Sequence, residues 1–537
     1  MAERNKVGQK FAEWSKVPGA GKLCEEVVGT AKQKDSTVSV WFNGEKHTYA
    51  TTPEIYRALT SMKSPEAVNP IMRLLSAAAG MLRAGATLTP DFAIKNIMRD
   101  AAGASVFSRY GFRPAIDHAY GIFHMLKQDQ LFHDYKASGA LMSTMVGLDR
   151  DFVQASLKGL YTKDAKYYWS HYNPIQIMRG LSEMLETATR LGEYSRAVKK
   201  GASVEDAALS ARDVSIDFSK AGTYGRNWNK IAAFFNAGIQ EPVRIAQAFK
   251  EDPKRTAVKT AMFITLPSVA LWYMNHDKEW YKELPDWQKN IFWCFKAGDT
   301  VYRIPKPFGL GVVFGSLPER TLDWMVDKHP DAMKHWLKSA GDAFIPNILP
   351  TVVTALMEWN TGYSLFRDRQ IVPQREQNLK EEDQYGPNTS SMAKEIGKMF
   401  GLSPRKIDNL VQGLGGGMAT QSLNAYDYAK GNRDMQNPFS KAFTVDVTRS
   451  PQSVQDFYDA YQKSKQEYNS AKLQGGKIDK DIVFNYKTMN QFNQGMAKFN
   501  NAERKAAAEH NDAEVNRLNK LEMQLAQHAM KQYRRRE

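Results

Sequence analysis

N-P-I-Q-I-M-R-G-L-S-E-M-L, Asn173 to Leu185, decides the class of fold. Ile175, Met178, Leu181 and Leu185 recur three or four positions apart, the spacing that lines one face of an α-helix. Asn173-Pro174 marks its start, because a proline in the first helical turn loses no hydrogen bond. The same period runs outward on both sides. Ile71, Leu74, Leu75 and Met81-Leu82 carry it, Thr89-Pro90-Asp91 reads as another start, and Gly201-Ala202-Ser203 ends one helix and caps the next. A helical bundle is expected to about residue 250.

Strand signals are few. Val38, Val40 and Phe42 alternate into Asn43-Gly44, the pair that best tolerates a type I′ turn, and Thr52-Pro53-Glu54 then opens a helix. A second short signal, Gly298 to Ile304, stops at Pro305-Lys306-Pro307. Residues 361 to 391 lack helical periodicity, and Ser403-Pro404 starts a helix expected to stop at Gly413 to Gly417. Beyond residue 450, Val454, Phe457, Tyr461 and Tyr468 line one helix, Gly475-Gly476 is a turn, and Val515, Leu518, Leu521 and Leu525 line a second. The expected fold is mainly α, a multi-helix bundle with one or two small β-hairpins and a C-terminal helical hairpin or coiled coil. Its segments are a polar start (1–34), hairpin plus bundle (35–250), an apolar and aromatic region (251–360), an extended crossing (361–390), a small helical unit (391–440) and the hairpin (441–537).

A chain of 537 residues has room for roughly three or four domain-sized units. With 73 Lys plus Arg against 58 Asp plus Glu the charge is +15, which favours anionic partners. The two cysteines, Cys24 and Cys294, provide neither a disulfide framework nor a zinc site, and the polar first 35 residues hold no export core. A reducing compartment is the simpler assumption.

No motif announces an active site. Gly19-Ala20-Gly21-Lys22 is followed by Leu23, where a phosphate loop needs Ser or Thr for magnesium. Gly309, Gly311 and Gly315 have the wrong spacing for a dinucleotide fingerprint. His118, His124 and His133 do not share a helical face, so no metal is expected, and no cofactor. Glu25-Glu26 and Glu381-Glu382-Asp383 sit among polar residues that keep them ionised, unlike the raised acid of a glycosidase.

Thr260 to Met274 is the longest uncharged stretch. At about 1.5 Å per residue its 15 residues fall short of a bilayer core of roughly 30 Å, and Pro267 interrupts it. A buried core helix is the favoured reading. Lys254, Arg255 and Lys259 before it and Trp272, Tyr273, Trp280, Tyr281, Trp287 and Trp293 at and beyond its other end suggest a membrane interface, with Phe263, Ile264, Leu266, Leu271 and Trp272 as candidate contacts. Arg534, Arg535 and Arg536 are the candidate contacts to DNA or another anion, although residues 499 to 537 hold 8 basic against 6 acidic side chains.

Eight strings occur in order: Val38 to Tyr49; T-P-D-F-A-I-K-N-I-M-R-D (Thr89 to Asp100); E-T-A-T-R-L-G-E-Y-S-R-A (Glu186 to Ala197); A-R-D-V-S-I-D-F-S (Ala211 to Ser219); F-F-N-A-G-I-Q (Phe234 to Gln240); Y-R-I-P-K-P-F-G (Tyr302 to Gly309); G-S-L-P-E-R (Gly315 to Arg320); and Asn388 to Asp408. Across about residues 35 to 420 the succession resembles the large polyvalent protein-associated domain of tailed bacteriophages and prophages. Within it Arg99 with Asp100, Arg190 with Glu193, and Arg212 with Asp217 read as structural charge pairs fixing helix register, with no nucleophile or histidine to make them catalytic.

The resemblance implies an internal virion or ejection protein rather than an enzyme. Such a protein is stored inside the virion near the portal and released into the host cell envelope to help DNA cross it. Its implied partners are other phage core or ejection proteins, portal or tail proteins, phage DNA held non-specifically, the host inner membrane and further copies of itself. The alternatives are a phage-delivered effector or cell-wall hydrolase with an unrecognised site, or a nucleic-acid-binding accessory protein.

Overall fold

Proline and serine starts recur along the chain, and most of them open helices. The structure, a computed structural model, describes residues 12–13, 15–16, 24–27, 37–42, 45–51, 70–138, 140, 174–216, 223–326, 332–345, 347–365, 369–373, 376–377, 379–386, 388–431, 442–449, 451–475, 478–509 and 511–533. The Gly19–Lys22 string, Asn43-Gly44, Thr52-Pro53-Glu54, Asp217 and Arg534 to Arg536 lie outside them. The fold is mainly α, and the chain divides into two units, Met1–Ala77 and Ala78–Glu537.

The first unit carries the expected hairpin. Thr37–Phe42 pairs antiparallel with Glu45–Thr51, Phe42 opposite Glu45, and Cys24–Glu26 adds a third strand on the other side of the second. Tyr49 on the central strand is buried.

In the second unit the helix that begins at Pro174 runs to Lys199 and packs on Ile116–Lys127, Gln130–Ala137 and Val204–Asp213. Phe132, Tyr135, Leu191, Tyr194 and Ala211 form the core between them. The crossing is close because Gly121 and Gly192 face the neighbouring backbone: a Cβ at Gly121 would run into the Ala188 carbonyl, and one at Gly192 into that of Asp117. Ser203 accepts from the Asp206 N–H (3.1 Å), the expected cap.

Two expectations need correction and two gain detail. The helix after Ser403 does not stop at the glycines but continues from Pro404 to Ala429 across a break at Gly416. The glycines are there because another helix, Pro70–Thr87, crosses at that point; a Cβ on Gly85 would overlap the Gly415 carbonyl, and one on Gly416 would lie 2.8 Å from the Ala86 nitrogen. The C-terminal region has three helices where two were expected, Gln452–Leu473, Lys480–Ala508 and Asp512–Gln532, around Phe457, Tyr461, Met489, Met496 and Ala526. The strand signal before Pro305 is one of three strands, Phe292–Ala297, Thr300–Pro305 and Thr444–Val445. Finally, the 361–391 crossing holds a two-stranded ladder, Tyr363–Ser364 with Arg369–Gln370, and a 3₁₀ turn at Glu381–Asp383.

Candidate functional site

The Asp252 carboxylate accepts from the Arg255 N–H (3.1 Å), and Pro253 fills the first turn behind this cap. The helix so started runs unbroken from Pro253 to Asn275. Its 23 residues span about 34 Å, so by length and composition it could cross a membrane. The expectation of a short, buried core helix is therefore overturned. The helix extends into the charged residues before Thr260, and only 22% of its most apolar window is buried. Pro267 removes an N–H from the ladder, and the preceding turn, Ala261–Thr265, widens to π-helical geometry.

The same device occurs again 51 residues on. Phe263-Ile264-Thr265-Leu266-Pro267 is followed by Leu271, Tyr273 and Met274; Phe314-Gly315-Ser316-Leu317-Pro318 is followed by Leu322, Trp324 and Met325. In this second arm a π-helical stretch, Gly311–Ser316, again precedes the proline. The two arms pack together. Thr265 Oγ1 donates to the Phe314 carbonyl (2.7 Å) and Trp272 Nε1 to Asp323 (2.5 Å). A Cβ on Gly315 would stand 2.7 Å from Ser268 Oγ and 3.4 Å from Ile264 Cγ2. Ile264 meets Gly315, and eight residues further along each arm Trp272 meets Asp323, so the arms run parallel.

This pairing decides which side of the first arm faces water. Ile264, Ser268 and Trp272, spaced four apart, are buried in the seam. Opposite them the exposed positions from Ala257 to Met274 are Ala257, Val258, Ala261, Met262, Phe263, Leu266, Ala270, Tyr273 and Met274, all without charge. Leu266 is 63% exposed, Met262 56%, Tyr273 75% and Met274 66%, whereas an ordinary surface helix would present polar groups there. Of the candidate membrane contacts, Phe263 and Leu266 lie on this face, Leu271 is half-buried, and Ile264 and Trp272 are turned inward. Trp324, Met325 and Val326 add exposed apolar groups at the matching end of the second arm.

Beneath the arms lies a buried charge network that helical spacing did not reveal. Lys306 Nζ donates to both Glu319 carboxylate oxygens, to the Lys289 carbonyl (2.8 Å each) and to Ser316 Oγ (2.9 Å). Arg320 pairs with Asp323 (2.7 Å) and approaches Asp286 (3.7 Å), which also holds Lys289 (2.8 Å) and His335 (2.5 Å). Three cations thus meet three carboxylates. Burial pushes the Lys306 pKa down and that of Glu319 up, each opposed by the other's charge. Burial works against the Arg320 charge, but the carboxylates of Asp323, Glu319 and Asp286 hold it firmly protonated. Lys306 comes from Y-R-I-P-K-P-F-G and Glu319-Arg320 from G-S-L-P-E-R, and the signal that joins them is a pair of charged residues hemmed by prolines and apolar neighbours.

The structural pairs read from spacing fall in a second network. Arg190 bonds Glu186 one turn back (2.9 Å) and donates to the Ile216 carbonyl (2.7 Å). Its expected partner, Glu193, instead accepts from Ser108 and Ser210 (2.7 Å each). Arg244 donates to the carbonyls of Asp213 (3.1 Å) and Val214 (2.5 Å). Together the two arginines take up carbonyls at and just past the end of Val204–Asp213. Asp100 accepts from Ser215 (3.3 Å), and burial, opposed by Arg190, pushes its pKa up to about 6. Arg99 lies over the Phe308 ring at 4.6 Å, its pKa lowered by burial to about 10. Arg212 is half-buried in the last turn of Val204–Asp213.

The other chemical candidates do not converge. His118 is buried against Thr189 (2.6 Å) and His124 holds Asp129 (2.7 Å). Burial pushes the Cys294 thiol up to about 12, far from a reactive thiolate at neutral pH. Among the described residues no group of three or more His, Cys, Asp or Glu could hold a metal ion.

The stretch containing the second arm and the Lys306 network is similar to a large polyvalent protein-associated domain, a likeness that associates the chain with the polyvalent proteins of phages. Residues 278–448 match large polyvalent protein associated domain 38. The domain begins just after the first arm and ends past residue 420, so its extent differs from the 35–420 expected while its kind is the same. No curated protein and no solved structure matches the chain.

Proposed function

We propose that this protein is an internal structural component of a tailed-phage virion, stored near the portal and released with the genome to help DNA cross the host envelope. The observation that carries the reading is the first arm. A helix of 23 residues, uncharged on its exposed positions from Ala257 to Met274, lies directly before a stretch that matches a phage polyvalent-protein domain, on a body that pairs Lys306 with Glu319 and Arg320 with Asp323 in its interior. Such a face is unfavourable in water and needs a partner that removes it from water. The net charge of +15 suits storage against DNA through non-specific phosphate contacts. Copies of the chain, other core proteins and portal or tail proteins are its partners within the virion, and the host inner membrane is the partner after release.

Quantitative mass spectrometry of DNA-filled virions against emptied particles tests this. Several copies per filled particle, lost on emptying, is the expected result. Absence from virions, or a cleared band for the purified chain in peptidoglycan zymography, would overturn it.

A further inference from the structure

At the start of the first arm, cations gather around the turn Ser108–Gly111. Arg255 and Lys259 both donate to the Ser108 carbonyl, Lys259 at 3.1 Å, and Arg196 Nε donates to the Tyr110 carbonyl at 2.9 Å. Gly111, in the left-handed region at φ +76°, places no side chain between these cations. The Arg196 guanidinium and Lys200 Nζ each stand 3.9 Å from where its Cβ would be. Lys259 is within electrostatic reach of Arg255, Glu193, Lys200 and Arg196.

The carboxylates nearby are largely engaged. Glu193 takes two serine hydroxyls (2.7 Å each), Asp117 binds Arg113 (3.1 Å) and lies 3.7 Å from Arg196, and Arg109 bridges Asp213 and Glu251 (3.2 Å each). With the Asp252 cap included, the groups named here are six cations and five carboxylates, a surplus of one positive charge.

We propose that Arg196, Lys200, Arg255 and Lys259 take the phosphate of an anionic phospholipid while the apolar face of the first arm rests among the acyl chains of the same leaflet. Charge and apolar surface are continuous. Val258 lies between Arg255 and Lys259 on the same helix, and Met262 and Leu266 carry the exposed face onward from it. A nucleic acid would use the cations and leave that face in water; a phospholipid monolayer satisfies both, as interfacial helices with basic flanks do. This deepens the envelope step of the proposed function. It is tested without virions, so either reading can fail alone.

The test is flotation of the full chain with vesicles of phosphatidylcholine and with vesicles containing phosphatidylglycerol. Binding to the anionic vesicles is expected to fall about fivefold for Lys200→Gln and about thirtyfold for Lys200→Gln with Arg255→Gln. Met262→Ser with Leu266→Ser should lower it at least tenfold by removing apolar surface. Lys200 is exposed and its side chain makes none of the carbonyl contacts described, so its single variant reads charge without disturbing the turn. Equal binding to both vesicle types would overturn the proposal. So would binding of a 30-base-pair duplex or of free glycerol phosphate that falls with the same variants while anionic vesicles are not bound.

Discussion

Replacing Lys306 by methionine keeps most of the side-chain volume and removes the charge from the network beneath the arms. The wild-type ammonium is 2% exposed and makes four contacts of 2.8–2.9 Å, so the variant strands Glu319, itself 3% exposed, with only Arg320 (3.5 Å) nearby. Breaking one side of a buried pair costs about 3–5 kcal/mol. Glu319→Gln strands the ammonium in the same way and carries a similar cost. In the double variant four charges remain, Lys289 and Arg320 with Asp286 and Asp323, still balanced. What is then lost is mainly the hydrogen bonding of the Lys289 carbonyl and Ser316, about 1–3 kcal/mol. The two single costs should therefore exceed the double cost by about 3 kcal/mol or more. Urea unfolding at pH 7, followed through the fluorescence of the nearby Trp272 and Trp293, measures all three. Additive costs, or single costs below about 1 kcal/mol, would refute a coupled buried pair.

Ile264→Asp, in the seam, should lower the melting temperature sharply, whereas Leu266→Asp, two residues on but exposed, should leave it nearly unchanged and weaken vesicle binding. Gly85→Val should destabilise by about 2 kcal/mol or more, because its side chain has no room against the Gly415 backbone; an unchanged unfolding curve would contradict the close crossing. Cys294 should resist Ellman's reagent at pH 8 in the native protein and react once urea unfolds it. Burial pushes the His118 pKa down to about 4 from the ordinary 6.5. The stability of holding it neutral is complete above pH 6.5 and is lost as pH falls toward 4, so His118→Gln should lose less stability than wild type across that window.

Features set by a few adjacent residues were legible in the sequence. Pro90, Pro174 and Pro404 open helices, Ser203 caps one, and the strands on either side of Asn43-Gly44 pair as alternation predicts, because each depends on local dihedral limits or a hydrogen bond within a turn. Features set by distant neighbours were not. Gly413 to Gly417 read as a stop because nothing local tells that a helix over 300 residues earlier needs the space. The Lys480–Ala508 helix is rich in Asn and Gln, which hides its stripe of Met489, Phe492 and Met496. Arg190 chose Glu186 over Glu193 because serines from two other segments had already engaged Glu193. At the candidate site the residues of the first arm could be listed from the sequence, but the face that meets solvent could not. That face is fixed by the second arm, whose matching proline and glycine only gain meaning when the two are packed.

The crossing of Gly85 with Gly415 also sets a schedule for the newly made chain. Asp91 and Gln421, which bond across the same junction, are 330 residues apart. At roughly 5–20 residues per second, the first helix of the pair waits on the order of 15–65 seconds after leaving the ribosome before its partner exists. During that interval a backbone stripped of side chains at the crossing point is uncovered, and the N-terminal third has its local helices without the element that locks them. Chaperone dependence during synthesis, and poor recovery of fragments cut between residues 100 and 400, follow from that one long-range contact.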